Sequence, residues 1–174
     1  TREPTNGPYG QKIRELYTQR DGVTPDEELA LFLSDRKEHV DTLIGPALAE
    51  GRIVLCDRYF LSTAAYQGAA GFNPKMIIQK NSFAPDPDLA LLFELSPEES
   101  IRRITEKRGD RLNDFEQLES LKNVAAVFDT MDMAYLHRIN ASGSVAHISD
   151  TVKKHVLAVL ESSGITPADT SEKS

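Results

Sequence analysis

Residues 53–68 read IVLCDRYFLSTAAYQG. The four apolar residues Ile53 to Cys56 are the length of a short buried strand, and Asp57 stands at its C-terminal end. Tyr59 to Ala70 then reads as a helix. Ser62, Thr63, Tyr66 and Gln67 fall at helical spacing on one side, and the small Ala64 and Ala65 mark a closely packed face. A strand running straight into a helix is the unit of an α/β fold with a parallel sheet, and that unit sets the expectation for the rest of the chain.

Upstream, Thr1 to Gly10 is a loop containing Pro and Gly, leading into a short amphipathic helix with Ile13, Leu16 and Tyr17. Thr24 as N-cap, Pro25 at the first helical position and Glu27 as the capping-box partner predict a long helix ending near Gly51, kinked at Gly45-Pro46. Downstream, Asn73-Pro74 opens a helix towards Phe83. Leu89 to Leu95 is a second strand, whose continuous apolar run suits a parallel strand covered on both faces. Ser96-Pro97-Glu98-Glu99 is another capping box, starting a helix to about Arg108. After a polar stretch from Gly109 to Asp114, the pattern predicts a long helix to about Asn140, a third strand over Val145 to Ile148 and a last helix from Asp150 to Leu160. The fold class is therefore α/β, a parallel sheet flanked by helices. Residues 1–161 form one expected domain and 162–174 a frayed tail. Three strands are few for this many helices, and two more ahead of Thr1 would complete an ordinary sheet.

A chain of 174 residues with 40% hydrophobic and 27% charged residues has the composition of one ordinary globular domain. Its net charge of -7 speaks against general nucleic-acid binding, which needs a basic surface. No apolar run approaches the roughly 18–20 residues of a membrane span. The single Cys56 excludes an internal disulfide and offers no zinc set, so the cytoplasm is the expected compartment.

Asp57 at a strand end serves either as a turn residue or as a hard oxygen ligand for Mg²⁺. Arg58 beside it favours the second reading, because a planar guanidinium grips phosphate bidentately. The polar side of the following helix is equally readable as a solvated face. Phe32 alone reads as a core residue and Arg36 alone as a surface charge, but their i, i+4 spacing puts both on one side of the helix. Arg102, Arg103, Lys107, Arg108 and Arg111 form a basic group that a solvated helix face would also explain.

Taken together, DRYFLSTAAYQG at 57–68, TREP at 1–4, Ile13-Arg14, Phe32-x-x-x-Arg36 followed by His39, PALAEG at 46–51 and PDLALLFEL at 87–95 resemble the thymidylate kinase family, over Thr1 to about Leu160. The resemblance implies a P-loop NTPase-like fold and transfer of the ATP γ-phosphoryl group to dTMP with Mg²⁺. Phe32 would stack on thymine and Arg36 would reach a base carbonyl. Thr63 and Gln67 would hydrogen-bond the thymine edge, with Tyr66 beneath the deoxyribose. Arg14 and Arg58 would hold the acceptor phosphate, and Asp57 with Glu3 would organise the Mg²⁺ and phosphate region. Arg2 would be either a further phosphate contact or a structural ion pair. Catalysis would involve Asp57, Arg58, Arg108 and Arg111. Arg102, Arg103 and Arg108 would belong to a lid over ATP, about residues 102–114. A homodimer packed through helices, including the one from Thr24 to Glu50, is also implied.

The sequence departs from the family pattern at three places. Leu112-Asn113-Asp114 follows Asp110-Arg111 where Glu is common. Thr5-Asn6-Gly7 replaces a glycine pair, and would make the same turn because Asn and Gly both tolerate positive φ. Finally, no Gly-x-x-x-x-Gly-Lys-Ser/Thr loop occurs within the 174 residues. A strand–loop–helix unit of about 30 residues or more would carry that loop ahead of Thr1, and without it the 174-residue polypeptide would not turn over ATP. Two alternatives stand beside this reading: another deoxynucleotide or deoxynucleoside kinase, and a catalytically inactive binding or dimerisation remnant.

Overall fold

Thr24 starts the longest helical passage of the first half. Its hydroxyl accepts from the Glu27 N–H at 3.3 Å, and Glu27 Oε2 accepts from the Thr24 N–H at 2.8 Å, closing the capping box. The computed structural model describes residues 1–19, 22–108 and 117–165, apart from the side chains of 107 and 108. In chain order these residues form α1 (Pro8–Leu16), α2 (Pro25–His39), a π-helical turn (Val40–Ile44), α3 (Gly45–Ala49), α4 (Phe60–Ala69), α5 (Pro74–Lys80), β1 (Ala90–Glu94), α6 (Pro97–Arg108), α7 (Leu118–Asp129), β2 (Leu136–Asn140) and α8 (Val145–Ser162). The chain is thus α/β with a parallel sheet, as expected. No helix among the described residues is long and apolar enough to cross a membrane.

Pro46 explains the expected kink. It has no N–H to give to Thr42, and its ring would press on that carbonyl. The helix widens instead, Gly45 N–H bonding to Val40 O five residues back, and α3 restarts with Pro46 in its first turn.

Contacts between Cα atoms divide the chain into two compact units. The first, Thr1–Pro85 with Ile101–Met131, is built on the buried Ile13, Leu29, Phe60, Ala64, Ala65, Ile77 and Val124. Each large apolar side chain buried here contributes roughly 1.5–3 kcal/mol. The small residues of α4 let its neighbours approach closely. A Cβ on Gly68 would lie 2.9 Å from Pro74 Cγ and 3.1 Å from Val127 Cγ1, so α5 and α7 both rest on that position.

Residues 53–56 are extended but are not the buried strand expected. Leu55 O accepts from the Thr1 nitrogen at 2.7 Å, Asp57 N–H donates to Thr1 O, and Glu3 N–H donates to Asp57 O, a parallel pairing of one bridge. Ile53 and Leu55 are 62% and 75% exposed. A parallel strand is buried only when strands flank both edges and layers cover both faces. Among the described residues, the backbone hydrogen bonds of Leu55 and Asp57 run to residues 1 and 3.

In the second unit, Asp86–Ser100 with Asp132–Ser174, β1 and β2 pair in parallel from Ala90↔Leu136 to Glu94↔Asn140. Arg138 and Glu94 form an ion pair. Phe93 is 52% exposed, so β1 is not covered on both faces as its apolar run suggested. The segment after the polar stretch also differs from expectation. Its helix stops at Asp129, the strand is Leu136–Asn140, and Val145–Ile148 is the first turn of α8. Ser144 accounts for the last point, because its hydroxyl accepts from His147 N–H and caps the helix there. Ile139, buried within β2, carries the strand's side of the packing.

Candidate active site

The loop of residues 1–7 is fastened to α1 and α2 by short polar contacts. Asp35, 2% exposed, takes both the N–H (2.9 Å) and the hydroxyl (2.6 Å) of Thr5. The Thr5 hydroxyl also accepts from Gly7 N–H at 3.0 Å, which closes the turn. Neither Asn6 nor Gly7 needs positive φ, contrary to the expectation for this Thr-Asn-Gly stretch. Arg14 donates from Nη1 to the carbonyls of Pro4 (3.1 Å) and Thr5 (2.6 Å), so its guanidinium is held against the loop. Gly10 is required by this packing: a Cβ there would meet Thr5 O at 2.0 Å.

Next to the loop lies a seam between α2 and α4. Glu28, Phe32 and Arg36 follow at four-residue steps on α2, and Thr63 and Gln67 do so on α4. Arg36 is 1% exposed. It donates to Glu3 Oε2 (2.6 Å), Thr63 Oγ1 (2.9 Å) and Asn81 Oδ1 (2.6 Å), and lies 5.3 Å from the Tyr59 ring centroid. Its Nε–H is buried without a hydrogen-bond partner among the described residues. At the other end of the seam, Gln67 Nε2 donates to Glu28 Oε1 at 3.0 Å. Phe32 stands between the two polar pairs, half-buried.

Glu3 is held from both sides. Oε2 meets Arg36 and Oε1 meets His39 Nδ1 at 3.0 Å, while His39 Nε2 bonds the Thr1 hydroxyl at 2.7 Å. Removing one partner of so buried an ion pair strands the other, at a cost of about 3–5 kcal/mol. Glu3 is therefore placed to orient Arg36.

Arg58 adopts φ 65°, the left-handed region that a branched or long side chain rarely enters. Such strain costs of order 1–3 kcal/mol and concentrates at functional positions. The guanidinium lies 5.4 Å from the Tyr66 ring centroid. Tyr17 is drawn into the same cluster. Burial pushes its phenol pKa up, with Arg58 and Arg14 opposing and Glu28 and Tyr66 reinforcing the shift.

Asp57 is exposed, with its main chain pinned to residues 1 and 3. Mg²⁺ at a nucleotide takes one or two carboxylates and completes its shell with water and phosphate oxygens. With Glu3 engaged by Arg36 and His39, the exposed Asp57 carboxylate fits that demand. Arg2 contributes main-chain pairing to Asp57 and an exposed side chain. Cys56 beside them donates to Arg58 O, and its thiol is pushed up to about 11, by burial first and by Glu3 next.

The lid arginines are less drawn together. Arg102, on α6, pairs with Glu106 at 2.8 Å along its own helix, and Arg103 is half-buried on that helix. The Arg108 side chain and Arg111 lie outside the described residues. Four residues of the site carried no expected role: Glu28, Asp35, His39 and Asn81. The Glu28–Phe32–Arg36 spacing was a readable signal for the first. Asn81, capping α5 at 2% exposure, had none.

The comparisons with known proteins agree over most of the chain. The family model described as thymidylate kinase matches residues 1–152. The thymidylate kinase of Desulfotalea psychrophila is 55% identical over 159 residues, 91% of this chain and 79% of that protein. Those of Xanthomonas euvesicatoria pv. vesicatoria and Xanthomonas oryzae pv. oryzae are each 42% identical, over 92% and 98% of this chain and 68% and 75% of their own lengths. The matched span contains the loop, the seam and the Asp57-Arg58 pair, and the chain belongs to the thymidylate kinase family.

Proposed function

We propose that these residues form the acceptor-nucleotide site of a nucleoside monophosphate kinase that transfers the γ-phosphoryl group of ATP to dTMP, giving dTDP. The α2–α4 seam carries this reading. Phe32 offers a face for the thymine ring, Arg36 a donor for a base carbonyl, and Thr63 and Gln67 polar groups for the base edge. Tyr66 supports the deoxyribose and, through Arg58, ties the sugar position to the phosphate position.

Phosphoryl transfer depends on positioning and on neutralising charge rather than on acid–base chemistry. Arg14, braced by the loop carbonyls, and Arg58, held in its strained conformation, would clamp the acceptor phosphate in line with the donor. Asp57 would hold Mg²⁺, which when bound supplies charge neutralisation between the phosphates. Arg102, Arg103, Arg108 and Arg111 would act from a lid over ATP, about residues 102–114, within a nucleotide-binding domain of residues 1–161. The 174 residues contain no Gly-x-x-x-x-Gly-Lys-Ser/Thr. As an isolated polypeptide they are expected to bind dTMP without forming dTDP. A cytoplasmic homodimer belongs to the same reading.

A thermal-shift series with dTMP, dUMP, dCMP and thymidine tests the proposal. The largest stabilisation is expected from dTMP. Stabilisation by thymidine but not by dTMP would point to a nucleoside kinase instead.

A further inference from the structure

Gln67 has an amide whose two ends are chemically opposite, an NH₂ that donates and an oxygen that accepts. Which end faces the base decides what the site can read. Gln67 is 3% exposed, and its side chain makes one hydrogen bond among the described residues, from Nε2 to Glu28 Oε1 at 3.0 Å. A carboxylate has only acceptor atoms, so the amide nitrogen must face Glu28 whichever way the amide was first drawn. Oε1 is then the end turned away from Glu28.

We propose that Glu28 is a specificity-determining positioning residue, fixing the Gln67 amide so that the site selects a pyrimidine with an N3–H over one with a bare N3. The inference rests on the dTMP reading of the seam. Thymine and uracil present N3–H as a donor and O4 as an acceptor. Cytosine presents N3 as an acceptor and the 4-amino group as a donor. Arg36 has donors only, and with Glu28 in place Gln67 offers an acceptor. Donor and acceptor thus match thymine and uracil, and both contacts oppose cytosine. A buried site built to hydrogen-bond one pattern rejects the inverted one far more strongly than a change of shape would. Glu28 touches no base atom in this arrangement. It acts through Gln67, and α2 carries it two helical steps from Arg36, so one element sets both polarities.

Titration calorimetry of the full 174-residue chain with dTMP, dUMP and dCMP provides the test. In Glu28→Gln the partner of Gln67 is itself an amide, either end of which can face Gln67, so the orientation is released. The preference for dTMP over dCMP should fall about tenfold or more, while the ratio of dTMP to dUMP stays as in the parent chain. The exchanged pair Glu28→Gln with Gln67→Glu restores a donor at 28 and an acceptor at 67, and should recover the preference. Equal weakening of all three nucleotides, an unchanged dTMP-to-dCMP ratio, or a folded exchanged pair that fails to recover the preference would overturn the proposal. Should the single variant not fold, the exchanged pair decides by the same ratio. If the parent chain binds no dTMP, the acceptor-site reading itself fails and this inference falls with it, a result distinct from the others.

Discussion

Arg58 shows how a single residue can trade stability for position. Its left-handed φ is the backbone's response to turning sharply from the residue 53–57 segment into α4, and it sends the guanidinium to Tyr66. Replacing it by Ala or by Gly removes the same charge, but only Gly relieves the conformation. Arg58→Gly should therefore be more stable than Arg58→Ala by about 1 kcal/mol in denaturant unfolding, while both lose dTMP affinity alike. Equal stabilities would mean the strain is relieved elsewhere. The Asp57-Arg58 pair was legible in the sequence because two chemically loaded residues follow an apolar run. The strain was not, since any residue type can be forced into that region. Nor was Glu3's engagement by Arg36 and His39 legible, because the three come from distant parts of the chain and meet only when α2 packs against the loop.

At the scale of elements, local signals read well and environment read poorly. The α2 cap followed directly from Thr24-Pro25-x-Glu27, and the widened turn from Gly45-Pro46. Thr24→Ala should cost about 1 kcal/mol in unfolding free energy. The same cap predicts a pH effect. The Thr24 N–H and then its hydroxyl hold the Glu27 carboxyl below the ordinary glutamate value. Because the folded value lies lower, the stability it lends is present above the unfolded glutamate pKa and fades as pH falls through the folded one. Urea unfolding from pH 6 down to pH 3 should therefore show a steeper acid loss in the parent chain than in Glu27→Gln, which has no carboxyl to titrate there. By contrast, Val145–Ile148 looked like a strand because Val145 and Ile148 are β-branched, yet the Ser144 cap makes it the first turn of a helix. Strand and helix patterns coincide over so short a run, and only the cap separates them. Residues 53–56 show the converse, since their apolar character was read correctly and their burial depended on neighbours that sequence order does not supply.

Across the molecule, the α/β class was legible from alternation alone, and the family from several short motifs in register. What motif reading left out was the support beneath each contact: Asp35 on Thr5, Asn81 and Glu3 on Arg36, and Glu28 on Gln67. These residues brace the proposed nucleotide site of the first unit, because Arg14, Arg36, Thr63 and Gln67, all expected to meet dTMP, are each held by another side chain or by backbone. The most direct test is a crystal structure of the 174-residue chain grown with dTMP. Thymine is predicted to stack on Phe32 with a base carbonyl facing Arg36, Gln67 at the base edge and the phosphate between Arg14 and Arg58. A nucleotide bound away from the α2–α4 seam, or seated there with its phosphate turned from both arginines, would contradict the assignment.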